Sequence, residues 1–310
     1  LIISAFSVIL SLFGLILSYS LFLLYASILI LGFSGGVING SSNALVADIS
    51  ANEKGAKLSL LGVFYGVGAL GMPVLLGSLS GIFTTETILI SVTVFLSVLV
   101  FFLVVIDFPS PKNTQGFPIK EGIKLITNPV LLICGLFLAF QSGIEGIGNN
   151  WTTTFLQKHI LSSEENSLFA LTYLVLALTI TRLVLSFILG KLGEMYVLYM
   201  SLVIVCLGAV IIFLGNSYFY TVIGLVFWGI GFAAGFPIML GFVAELFAKL
   251  SGTAFSLIFV IALSGNMFLN YITGVVSEIY GIKYYTIIVL LSAIFMITLL
   301  TKIKSKILHK

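Results

Sequence analysis

Long stretches of apolar residues, broken by short polar segments, run the length of the chain. Ten of them lie near 1–18, 21–48, 58–82, 87–106, 129–156, 167–190, 196–214, 218–247, 253–278 and 284–303. A helix crosses a bilayer with about 20 mostly apolar residues, and only helices and closed barrels satisfy their backbone polar groups in lipid. The stretches are continuous rather than alternating, so the pattern predicts an all-α membrane protein with ten transmembrane helices. Composition agrees: 60% of the 310 residues are hydrophobic and 8% are charged, against about 25% charged in a soluble domain. This excludes a soluble domain, a disordered chain, a nucleic-acid binder and a disulfide scaffold. Cys134 and Cys206 lie in apolar runs and read as small core residues rather than as a bridge or a metal pair.

Leu1 already lies within the first stretch, with no basic segment or small-residue cleavage site around it, so that stretch is not a signal peptide. The chain is expected to lack an amino-terminal part. Orientation comes from the lysines. One set of alternate loops and the tail carry eleven of them: Lys54, Lys57, Lys112, Lys120, Lys124, Lys191, Lys249, Lys302, Lys304, Lys306 and Lys310. The other set carries only Lys158 and Lys283. The positive-inside rule then places the 107–128 loop and the carboxyl terminus in the cytoplasm. That loop, with Asp107, Pro109, Pro111, Asn113 and Pro118, reads as a linker, with a short surface helix expected at 119–126. It divides an incomplete amino-terminal bundle, 1–106, from a carboxyl-terminal bundle, 129–310.

A repeat at an offset of 197 residues relates the two parts. Val46-Ala47-Asp48 matches Val243-Ala244-Glu245, Gly55 matches Gly252, Ser59-Leu60 matches Ser256-Leu257, and Gly32, Val63 and Gly77 match Gly229, Val260 and Gly274. Two six-helix halves in one orientation are the layout of the major facilitator superfamily, which the chain resembles. The ten spans would then be helices three to twelve of twelve, with about 70 residues of the first two helices absent. Within that superfamily the chain resembles the fucose permease-like sugar transporters over essentially its whole length. The resemblance rests on the segments Gly32 to Val46, Gly66 to Pro73, Gly143-Ile-Glu145-Gly-Ile-Gly-Asn149-Asn150-Trp151, and Gly229 to Pro237 with Ala244-Glu245. It implies alternating access to a central sugar site. One position departs from it. Asn39, which cannot ionise, stands where those proteins carry a membrane-embedded glutamate used in proton coupling. Their other coupling acid belongs to the first helix.

Polar residues inside a membrane are costly, so each is a candidate for function. Glu145 leads, with Gln141 and Asn149 four residues to either side and therefore on one helix face. It would accept a sugar hydroxyl or carry a proton; the plainer reading is a structural hydrogen-bonding carboxyl. Trp151, on the same helix, suits a carbohydrate C–H face or an interfacial anchor. Arg182 is the only arginine. It would pair, with Glu145 as one partner, or snorkel to the interface. Asn39 and Asn43, and likewise Asn266 and Asn270, stand one turn apart and offer paired donors and acceptors suited to hydroxyls. Tyr65 is a weaker candidate. Asp48 and Glu245 close their helices at the cytoplasmic face and read as gating or structural contacts. His159 and His309 have no partners at metal-ligand spacing. The Asn150-Trp-Thr152 sequon falls inside an apolar span. The glycine clusters at 66–71 and 229–235 lack a phosphate-loop context and read as packing and flexing points.

The reading is a secondary active transporter for a sugar or similar small polar solute. It would be an ion-coupled symporter driven by H+ or Na+, monomeric, without metal or other cofactor and without nucleic acid, in a bacterial inner membrane. The alternative is a proton-coupled exporter of drug-like or cell-wall-derived solutes. Of another class, a membrane-embedded transferase would need a His/Asp/Glu cluster at a membrane face, and the two histidines are isolated.

Overall fold

The computed structural model describes the backbone of residues 1–50, 52–79, 82–109 and 124–308, and their side chains except at 72–78, 249 and 305–308. Every described element is helical. In chain order they are α1 (Ile2–Ile16), α2 (Leu21–Ile49), α3 (Lys54–Leu79), α4 (Thr85–Val105), α5 (Pro129–Lys158), α6 (Glu164–Ile188), α7 (Glu194–Leu214), α8 (Tyr218–Phe232), α9 (Gly235–Leu246), α10 (Ser251–Tyr280) and α11 (Tyr285–Leu308). Short 3-10 turns precede α10 and α11 and follow α6. All ten expected spans are helical. Among the described residues, eight helical segments are long and apolar enough to cross a membrane, the pair α8–α9 counting as one of them; α1 is a shorter apolar helix. Most of the linker, with Lys112 and Lys120, lies outside the described residues, as does His309. Of the surface helix expected at 119–126, residues 124–126 are described and helical.

Capping side chains mark the starts of several helices. Asn128 accepts from the backbone N–H groups of Val130 and Leu131 ahead of Pro129, and Ser163 and Thr84 cap α6 and α4 in the same way. The surface is apolar, as lipid requires: Phe6, Leu10 and Phe13 of α1 and Phe95, Val98 and Phe102 of α4 are exposed.

The chain forms two compact units, Leu1–Leu45 with Gly71–Gly116, and Val46–Leu70 with Phe117–Lys310. In the first, α1 packs on α4, and Gly14 leaves room for Ser27 of α2. In the second, α5 packs most extensively on α10 and also touches α6, α8, α9 and α11. Glycines let the backbones approach, as small residues do wherever helices associate in lipid. A Cβ on Gly208 of α7 would lie 2.7 Å from the Gly224 carbonyl of α8, and one on Gly224 would lie 2.8 Å from the Gly208 carbonyl. Trp228, fully buried, donates its indole N–H to the Val205 carbonyl (3.2 Å) and meets the Phe232 and Tyr285 rings.

The stretch expected as one span at 218–247 is two helices, α8 and α9, with a break at Ala233-Ala234. Proline has no N–H to return, so Pro237 leaves the Ala233 carbonyl without its usual helical partner. The Ala233 N–H has already shifted to the Ile230 carbonyl (3.4 Å). Continuous apolar character hides such a break from a reading of hydropathy.

Gly265 of α10 faces Ala139 of α5, where a Cβ would stand 2.6 Å from the Ala139 Cα and 2.7 Å from its carbonyl oxygen. Gly265→Ala is expected to lower the thermal unfolding midpoint in detergent, at a cost of about 1–3 kcal/mol for overpacking against backbone. Gly252→Ala, whose Cβ meets nothing within 4 Å, serves as the control and leaves the midpoint unchanged or raised.

Candidate functional site

The polar centre of the second unit forms where α5 passes the α8–α9 break. Gln141 and Glu145 lie one turn apart on α5, so their side chains run side by side. The Gln141 carboxamide uses both of its N–H groups. It donates to Glu145 Oε1 (2.7 Å) and to the Phe232 carbonyl at the end of α8 (3.0 Å). One side chain thus caps the interrupted helix and orients the carboxylate. Gly235 keeps the space: a Cβ there would run into the Gln141 side chain.

The second oxygen of Glu145, Oε2, faces Arg182 of α6, with Nη2 at 3.9 Å. The side chain of Arg182 is 7% exposed and that of Glu145 18%. The distance is that of an ion pair and is too long for a hydrogen bond. Nε of Arg182 is buried without a partner. Among the described residues the guanidinium donates no hydrogen bond. It is held instead by packing. Ser59 of α3 donates to the Arg182 carbonyl (2.7 Å). Gly62, one turn further on, leaves the guanidinium room: a Cβ there would lie 2.9 Å from Cδ, 3.2 Å from Nη1 and 3.3 Å from Nε. Gly66 does the same for Thr179, whose hydroxyl donates to the Val175 carbonyl.

The remaining candidates divide among three settings. Asn149 continues the face of α5. It is exposed, and its amide donates to the Glu145 carbonyl (2.9 Å). Asn266 and Asn270 join α10 to α5 instead. Trp151 Nε1 and Asn150 Nδ2 both donate to Asn270 Oδ1 (3.1 Å each), Asn270 donates to Asn266 Oδ1 (2.8 Å), and Asn266 donates to the Ser142 carbonyl (2.9 Å). Gly146 makes room for this ladder. Asn39 and Asn43 lie in the first unit, where Asn43 donates to the carbonyl and to the Oδ1 of Asn39.

At one end of the second unit Asp48 Oδ1 accepts from Ser251 Oγ (2.8 Å), Lys54 donates to the Ala244 carbonyl (3.2 Å), and Glu245 is exposed. Tyr65 is exposed as well. His159, just past α5, is held below its usual range by burial and by the charge of Lys283, and so is neutral at pH 7. Among the described residues no group of three or more His, Cys, Asp or Glu could hold a metal ion. Sequence reasoning passed over Ser59, Gly62 and the Phe232 carbonyl. Ser59 stood out only as a repeat match, and a carbonyl freed by a break carries no letter of its own.

No curated protein matches the chain. Solved structures do. A major facilitator superfamily transporter, FucP, in the outward conformation superposes with a TM-score of 0.76 at 14% identity, covering 97% of this chain and 83% of that one. A variant of the E. coli fucose:proton symporter FucP gives 0.76 at 14%, covering 97% and 84%. The human organic anion transporter MFSD10 gives 0.73 at 18%, covering 96% and 76%. These likenesses show the fold, an all-α bundle. A sequence profile of the Major Facilitator Superfamily matches residues 1–268, so the chain belongs to that superfamily.

Proposed function

We propose that this transporter moves a sugar or similarly hydroxylated small solute by alternating access, coupled to an ion, with bundles 1–106 and 129–310 rocking about a site near the bilayer midplane. The observation that carries the reading is the cluster of Gln141, Glu145 and Arg182 at a broken helix inside an apolar bundle. An ion pair buried in hydrocarbon without ideal geometry contributes little to stability, and ionisable groups there mark solute and ion paths. The likeness to a fucose:proton symporter favours symport with a proton over sodium. Glu145 is then the coupling acid, in keeping with the amide at Asn39. Asn149 and Trp151 border the same helix, and Asn39, Asn43, Asn266 and Asn270 supply amides suited to hydroxyls. Asp48 and Glu245 act as contacts at the closing end. The lysine distribution favours a cytoplasmic carboxyl terminus, and a bacterial inner membrane suits the assignment.

Two measurements test it. With the purified full-length protein in proteoliposomes, an inward proton gradient is expected to drive saturable uptake of members of a panel of hexoses, uronates and polyols. Glu145→Gln, measured on protein that elutes as the wild type, is expected to reduce that driven uptake by at least about tenfold, loss of a coupling interaction appearing in the rate. Absence of flux for every solute would overturn the reading. Gln141→Leu leaves the Phe232 carbonyl unpaired and is expected to lower stability by about 1–3 kcal/mol, read from thermal unfolding in detergent.

A further inference from the structure

We propose that Arg182 recognises a carboxylate on the transported solute, so that the cargo is an acidic sugar or a comparable hydroxylated carboxylic acid, with Glu145 as its internal stand-in. The inference rests on the carrier reading above and narrows its substrate class.

A guanidinium has five N–H donors in a planar fork and cannot lose its charge inside a protein. Placed among apolar helices, it needs both a counter-charge and acceptors. Arg182 has the first only in part, at 3.9 Å, and among the described residues it has none of the second. Glu145 does not close on it, because its Oε1 is held by Gln141 at 2.7 Å. Gly62 leaves room beside Cδ, Nη1 and Nε. Nη2 faces Glu145, and the Nε–H on the same side of the fork is unpaired. Two parallel N–H groups on one edge are what a carboxylate takes in bidentate fashion. A neutral hexose has no use for a formal positive charge; the amides would suffice for its hydroxyls.

The exchange balances. A proton binds the Glu145 carboxylate, the neutral acid leaves the guanidinium, and the solute carboxylate takes its place on Nε and Nη2. The site is neutral before and after, so no uncompensated charge is left in the bundle. Proton and anion therefore favour each other's binding, and by linkage each raises the other's affinity equally. The charged group that meets Glu145 is Arg182 of α6, and its hydrogen-bond donor is Gln141. Glu145 is the more exposed partner.

The test uses matched pairs in the proteoliposome assay: D-galacturonate against D-galactose, and D-glucuronate against D-glucose, each pair differing only in a carboxylate or a hydroxymethyl at one carbon. Uptake of at least one uronate, driven by the proton gradient, is expected to exceed that of its hexose by at least about tenfold, the size of a charge-assisted contact. Arg182→Lys, which keeps the charge and loses the fork, is expected to raise the KM for the uronate by about tenfold or more with a smaller change in kcat. Where Arg182→Gln fails to fold through the acid left alone, Glu145→Gln with Arg182→Gln removes both charges and is expected to fold and, in a binding measurement in detergent that needs no gradient, to hold the uronate no better than its hexose. Equal or preferred transport of the hexoses would overturn the inference and leave the carrier reading standing. Failure of hexoses, uronates and polyols alike would overturn both.

Discussion

A helix that breaks inside hydrocarbon exposes carbonyl groups where no water can reach them, and the second unit is arranged around meeting that demand. Pro237 and the turn at Ala233-Ala234 interrupt the path of α8 into α9, and Gln141 supplies the missing donor to Phe232. Much else follows from this placement. Gln141 must be buried, so α5 must run through the middle of the unit. Glu145, one turn along the same face, is drawn in with it. A carboxylate at that depth then calls for a positive partner, and α6 presents the chain's one arginine.

The packing that allows this depends on missing side chains. Gly62, Gly146 and Gly235 each vacate the space that Arg182, the Asn266–Asn270 pair and Gln141 occupy. These glycines are not helix breakers here, since each lies within a helix or at its first turn. They set how closely polar groups on one helix can approach the backbone of the next. That explains why a bundle so poor in charge is so rich in glycine, with 31 residues.

Much of this fold was legible in the sequence because lipid imposes a minimum length on apolar helices. Where they begin came from the structure: Asn128 and Ser163 stand at helix starts, and their side chains complete the first turn. The side-by-side placement of Gln141 and Glu145 was legible too, from helical spacing alone. For Arg182 the sequence left two readings open, pairing with Glu145 or snorkelling, and Glu145 stands 3.9 Å from it. What stayed hidden depends on groups that do not appear in a sequence. The break in 218–247 turns on a carbonyl. The bond from Ser59 ends on the backbone of Arg182. The bonds from Trp151 and Asn150 to Asn270 were hidden as well, because they cross from one helix to another.

Residues 46–70 belong by chain order to the bundle proposed at 1–106, yet they pack with 117–310. They do so through the bonds of Ser251 to Asp48, Lys54 to the Ala244 carbonyl, and Ser59 to the Arg182 carbonyl. In the rocking carrier proposed above, these hydrogen bonds would be among the contacts that the motion has to break. Three such bonds, at about 0.5–1.5 kcal/mol each, hold it with roughly 2–4 kcal/mol.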